Sequence, residues 1–116
     1  MSIHDGDFEL WEEEKYGIKF YNLSIEGYIG LETIGDFIDL YNFFLEELYY
    51  YLLQNNYPKT ERGNWNTIYK TRAIEVDFVN DCYWVFLDKY ESNGIWDIYY
   101  YLEGVIEQLR QVEHDN

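Results

Sequence analysis

The chain has 116 residues, 47% of them hydrophobic and 22% aromatic, and sets 8 Lys and Arg against 23 Asp and Glu for a net charge of -15 at pH 7. That length suits one domain, spanning 1–116, able to bury roughly 60 to 70% of its unfolded surface, and the apolar content excludes a disordered chain, so the acids decorate a folded body. The charge argues against direct binding of nucleic acid and of anionic lipid, and no apolar run approaches the roughly eighteen residues of a membrane span.

Cys82 is the only cysteine, which leaves no internal disulfide and no need for an oxidising compartment. The opening residues MSIHDGDFELWEEE lack the basic and apolar regions of a secretory signal, and a cytoplasmic setting is expected. Asp5, Asp7, Glu9, Glu12, Glu13 and Glu14 precede the first base, Lys15, with Phe8, Leu10 and Trp11 among them. Those apolar residues predict a short strand or docked arm. The stretch 17–25, GIKFYNLSI, reads as a strand, and Gly27 and Gly30 mark a turn beyond it.

The segment 33–54, TIGDFIDLYNFFLEELYYYLLQ, is the element around which the chain is organised. Ile34, Phe37, Ile38, Tyr41, Phe44, Leu45, Leu48 and Leu52 fall at the spacing of a buried helical stripe, and Thr33 with Asp36 forms a capping-box pattern. The other side carries Asp36, Asp39, Glu46 and Glu47, with Phe43 and Tyr50 between them. The segment holds no Lys or Arg, although mixed signs at i, i+4 would stabilise it.

Asn55, Asn56 and Pro58 stop this helix. The loop 57–66 carries Lys59, Glu61, Arg62 and Gly63, and with Lys70 and Arg72 it makes the one basic neighbourhood: four of the eight bases lie between Lys59 and Arg72. Two strands follow. Residues 73–79 alternate Ile74, Val76 and Phe78 against Glu75 and Asp77, a half-buried pattern; Asn80 and Asp81 supply a hairpin turn; and 82–87, CYWVFL, is apolar on both sides, which predicts a central strand or one covered by helices. In the last element, 95–112, Ile95, Ile98, Tyr99, Leu102, Ile106 and Leu109 form a core stripe, Ser92 or Asn93 caps the start, and Trp96, Asp97, Tyr100, Glu103 and Glu107 face outward. Arg110 stands near the C-terminal end, where a cation suits the helix dipole. The expected fold class is α+β: an antiparallel sheet of about four strands packed with two main helices, in the order strands, helix, strands, helix.

Catalysis needs convergent groups. His4 and His114 lie near opposite ends, Cys82 sits in an apolar strand as a small hydrophobe, and no GxGxxG, P-loop, HExxH or EF-hand pattern occurs. Paired carboxylates carry little information among 23 acids, and a divalent site on His4, Asp5 and Asp7 would be weak. The chain is therefore read as non-catalytic, with no metal and no cofactor.

What stands out is the company the acids keep. Tyr50, Trp96 and Tyr100 share helical faces with carboxylates, and Tyr and Trp are enriched at the energetic centres of protein interfaces. The competing reading is that such aromatics cover core edges and the acidity only solubilises. The candidate partner-binding set is Asp36, Asp39, Glu46, Glu47, Tyr50, Glu75, Asp77, Trp96, Asp97, Tyr100, Glu103 and Glu107. Duplex DNA carries about one negative charge per 1.7 Å of axis, and Asp36 and Glu47 lie roughly 16 Å apart on the first helix. Four carboxylates over that span are too few to imitate DNA alone, but the N-terminal acids, Glu75 with Asp77, and the face of the second helix fill out the pattern.

In size, acidity and mixed helix and strand content the whole chain resembles the acidic DNA-mimic proteins, and among them the bacterial family whose members bind the histone-like protein HU as monomers. The resemblance implies a monomer that occupies the DNA site of a basic DNA-binding protein; it is not carried by any local motif, so no residue is transferred from it. The basic patch from Arg62 to Arg72 departs from an all-round mimic and places the acidic face on another side. The runner-up is an immunity protein or phage-type inhibitor that blocks a basic nuclease through a compact hot spot. An enzyme would instead need a concave pocket holding a shifted carboxylate.

Overall fold

Two tight turns in the left-handed region set the strand pairing. Tyr16 and Gly17 have φ of 55° and 76°, and Asn80 and Asp81 have φ of 55° and 62°, the geometry of two-residue hairpin turns whose twist matches that of the strands. Asn80 and Asp81 serve as the sequence predicts; the Tyr16–Gly17 turn carries no such signal, because a bulky residue at positive φ is uncommon. The computed structural model describes residues 2–5 (backbone), 8–25, 30–61, 74–87 and 89–115. Gly27, the basic residues Arg62, Lys70 and Arg72, and the side chains of His4, Asp5 and Asp7 lie outside what is described.

The elements in chain order are β1 (Ser2–Asp5), β2 (Phe8–Lys15), β3 (Ile18–Ile25), α1 (Ile34–Gln54), β4 (Ile74–Val79), β5 (Cys82–Leu87), β6 (Tyr90–Ser92) and α2 (Ile95–Asp115). The fold is α+β with antiparallel sheets and two helices. Its strands divide into a four-stranded sheet ordered β1-β2-β3-β6 and a separate β4-β5 hairpin.

On the inner face of the larger sheet, Phe8 and Leu10 of β2 stand opposite Ile25 and Leu23 of β3, all buried. Phe8 stacks on Phe44 of α1 with ring centroids 4.7 Å apart, and Tyr90 of β6 stacks on Tyr101 of α2 at 4.0 Å. These contacts lay both helices on one face of the sheet. The helices run antiparallel: Tyr49 near the end of α1 meets Trp96 and Tyr99 at the start of α2, while a Cβ on Gly35 would come within 3.0 Å of the Glu113 carboxylate near the end of α2.

The ends of α1 follow the sequence. Asp36 N donates to Thr33 Oγ1 at 3.1 Å and Thr33 N donates to Asp36 Oδ2 at 3.3 Å, the reciprocal capping box. At the other end Asn56 takes φ of 56°, with its N–H on the Leu53 carbonyl and that of Tyr57 on the Leu52 carbonyl, a Schellman closure. Ser92 organises the start of α2 by accepting from Gly94 N at 3.2 Å and donating to Asp97 Oδ2 at 2.7 Å.

Strand β5 corrects the sequence reading. It is not central; its partners are β4 and one isolated bridge between Leu31 and Tyr83. Its apolar residues are used singly: Val85 is buried, Tyr83 lies 4.7 Å from Phe78, Trp84 lies close enough to Gly30 that a Cβ there would meet its ring at 2.9 Å, and Phe86 is 46% exposed. The alternation predicted for β4 fades along the strand, from buried Ile74 through half-buried Val76 to exposed Phe78, because the hairpin runs off the edge of the core.

Asn22 on β3 is fully buried, and neither its amide nitrogen nor its amide oxygen has a hydrogen-bond partner. It pairs with Trp11 and Glu91 across the outer face of the sheet.

Candidate partner-binding surface

Successive residues of an α-helix turn by about 100°, which puts Asp36, Asp39, Phe43, Glu46, Glu47, Tyr50, Leu53 and Gln54 inside an arc of about 120° on α1. All eight are exposed. The arc faces away from the buried stripe of Ile34, Phe37, Ile38, Tyr41, Phe44, Leu48 and Leu52 and runs about 25 Å along the helix. Leu45, expected in the stripe, is half-buried beside it.

The composition of this arc is unusual for a solvated face. Phe43 is 48% exposed, Tyr50 64% and Leu53 51%, and they alternate with the four carboxylates. Among the described residues, three grooves adjoin it. Leu45, Glu46, Tyr49 and Tyr50 of α1 with Tyr99 of α2 line one of about 380 Å³; Glu47, Tyr50, Tyr51 and Gln54 line another of about 350 Å³. Tyr50 is the ridge between these two. At the other end Asp39, Gly35 and Ile38 share a groove of about 720 Å³ with Arg110, Gln111, Glu113 and His114.

The described bases are all engaged elsewhere. Lys15 pairs with Glu91 at 3.0 Å and Glu13 at 3.5 Å, Lys19 with Glu12 at 3.6 Å, and Arg110 with Glu107 at 2.7 Å. Lys89 stands 4.8 Å over the ring of Trp11 and Lys59 5.9 Å over that of Trp96. These contacts leave their mark on the sheet: the Trp11 indole donating to Glu13, then Lys15, hold the Glu13 carboxyl below its ordinary pKa, and Glu91 raises that of Lys15. Among the described residues no base forms an ion pair with Asp36, Asp39, Glu46 or Glu47.

The second helix departs from expectation. Trp96 and Tyr100, predicted to face outward, are 2% and 6% exposed. The chain leaving α1 folds back over them: Trp96 Nε1 donates to the Tyr57 carbonyl at 3.2 Å, and the Tyr100 hydroxyl donates to the Thr60 carbonyl at 2.8 Å. Because α2 packs against sheet, α1 and this returning segment, its buried surface spreads well beyond one stripe. Tyr99, assigned to the core by periodicity, is the one left half-exposed. Asp97 is half-buried and held by Ser92, Glu103 is half-buried, and Glu107 is exposed but bound to Arg110. These residues therefore do not join the α1 arc in one open face.

Glu75 and Asp77 are exposed on β4, directly opposite Phe86 and Trp84 of β5. The bridge from Tyr83 to Leu31 ties the hairpin to the chain just before α1. Periodicity missed Tyr49, Leu53 and Tyr99. The run Leu-Tyr-Tyr-Tyr-Leu-Leu at 48–53 held the signal, because three successive tyrosines cannot all reach one core. Among the described residues no group of three His, Cys, Asp or Glu side chains could hold a metal ion, and no helix is long and apolar enough to cross a membrane.

No protein-family model, no curated protein and no solved structure matches this chain.

Proposed function

We propose that this chain is a non-catalytic binding protein that occupies the nucleic-acid site of a basic DNA-binding protein, of the type that HU represents, through the outer face of α1 continued by the β4-β5 hairpin. The observation that carries this reading is the segregation of charge: the described bases are taken up by ion pairs and aromatic rings on the sheet and α2, while the carboxylates of α1 stand unneutralised between exposed Phe43, Tyr50 and Leu53. A surface evolved only for solubility would gain from mixed signs at helical spacing and would lose by exposing apolar side chains along the same arc. In the proposed role the carboxylates steer a basic groove into register, and the aromatic and aliphatic side chains make the desolvated contacts that slow dissociation.

The experiment is retention on the immobilised chain of purified basic DNA-binding proteins, HU among them, at about 0.15 M salt, followed by addition of duplex DNA. Retention reversed by the duplex supports occupancy of the DNA site. If none of these proteins is retained, or if a retained one ignores DNA, the proposal falls.

A further inference from the structure

The groove between α1 and the start of α2 has a chemistry more specific than general acidity. On α1, Leu45 with Tyr49 and Glu46 with Tyr50 form two adjacent rows at i, i+4 spacing, and Tyr99 of α2 closes the side next to Tyr49, whose ring centroid lies 5.9 Å from its own. The result is an open slot of about 380 Å³ whose described lining presents three phenol rings and one carboxylate. Aromatic faces carry negative quadrupoles that attract cations within about 6 Å, and this chain already uses that attraction. Lys59 rests 5.9 Å from Trp96, the ring that Tyr49 and Tyr99 flank, and Lys15 and Lys89 rest on Phe20 and Trp11 at 5.9 and 4.8 Å.

We infer that this slot is an anchor site for an arginine side chain of the partner, its guanidinium lying against the Tyr49, Tyr50 and Tyr99 rings with Glu46 accepting its N–H groups. The inference rests on the reading of the chain as a binder of a basic protein and names the residue type that binder recognises. Arginine fits better than lysine because a planar guanidinium stacks on rings and bonds a carboxylate through two parallel N–H groups, whereas an ammonium is a compact, strongly hydrated point charge. Aromatic residues paired with arginine are the usual hot-spot combination at interfaces.

The test uses the whole chain and three probes: N-acetylarginine methylamide, its lysine counterpart, and its citrulline counterpart, which has nearly the arginine shape without the charge. Ring and side-chain resonances of Tyr49, Tyr50, Tyr99 and Glu46 are followed by NMR. The arginine probe is expected to shift these resonances saturably and more tightly than the lysine probe, with no saturable shift from citrulline. Glu46→Gln and Tyr50→Leu, both on exposed positions, are each expected to weaken the arginine probe roughly tenfold, and Glu32→Gln, exposed ahead of α1 and outside the proposed face, is expected to leave it unchanged. Equal binding of citrulline, or shifts spread evenly over all acidic positions for both cations, overturns the inference. The two levels separate cleanly. If arginine occupies the slot but no DNA-binding protein is retained, the site stands and the mimic reading falls; if a DNA-competed partner binds the Glu46→Gln, Tyr50→Leu double variant as it binds the parent, the mimic reading stands and the slot falls.

Discussion

Reversing the charges on α1 tests whether that face steers association. Asp36 should be left alone, since its carboxylate closes the capping box with Thr33 and its loss would cost helix stability of about 1 kcal/mol. Asp39, Glu46 and Glu47 are exposed and carry no such contact, so Asp39→Lys, Glu46→Lys and Glu47→Lys together change the net charge from -15 to -9, three reversals of two charges each. In an encounter complex with charges about 10 Å apart, one pair in water is worth about 0.4 kcal/mol. Screening with a Debye length of about 8 Å reduces this to about 0.1 kcal/mol. Reversal changes the sign, doubling the difference, and three acids facing about three bases make nine such pairs, a total of about 2 kcal/mol or roughly a thirtyfold slower association. At about 0.01 M salt the Debye length is about 30 Å and the same sum exceeds a thousandfold. Stopped-flow association with the DNA-binding partner across that salt range is the assay. A slowing that vanishes at high salt supports the reasoning; rates unchanged by the triple reversal, or slowed equally at all salt concentrations, refute it.

Other consequences are separable from binding. Asn22→Leu is expected to raise the unfolding free energy by about 1 to 3 kcal/mol in urea titration, because it removes two buried polar atoms that have no partner; a loss of stability would show that the amide is satisfied in solution. Trp96→Ala should cost about 3 to 5 kcal/mol of stability in urea titration, since the indole is buried under the Tyr57–Thr60 segment; a loss below about 1 kcal/mol would show that the indole stands at the surface. Burial, with Tyr101 nearby, holds the Tyr41 phenol above its ordinary pKa, so the unfolded chain ionises first. That contribution to stability is complete below about pH 10 and is lost as pH rises beyond it, by up to about 1.4 kcal/mol per pH unit. Tyr41→Phe should flatten the alkaline loss by that amount, and an unchanged slope in urea titrations at pH 9, 10 and 11 would count against it.

The helix that organises the chain was legible because each of its signals is local: Thr33 and Asp36 at its start, Asn55 and Asn56 at its end, and a stripe whose period matches the backbone. The acidic arc with Phe43 and Tyr50 was legible for the same reason. What periodicity could not see is what covers an element from a distance. Trp96 and Tyr100 sit where a single packing partner would leave them in water, and they are buried because the segment after α1 returns over them to accept their hydrogen bonds. Tyr99 and Tyr100 accordingly exchange the roles that a simple stripe gives them. Strand β5 reads as central because it is apolar throughout, yet only Val85 is buried and Phe86 stays exposed, and register alone assigns it to the hairpin. The Tyr16–Gly17 turn was hidden by a residue type that rarely takes positive φ.

The central claim is mutual exclusion with nucleic acid, and it is tested most directly by displacement. A fluorescent duplex bound to HU, or to whichever DNA-binding protein the immobilised chain retains, is titrated with this protein while anisotropy reports free and bound DNA, and the apparent dissociation constant for DNA is measured at several fixed concentrations of the chain. Occupancy of the DNA site predicts that this constant rises in proportion to the chain without limit. A rise that levels off, or a ternary complex of chain, partner and duplex, would contradict it.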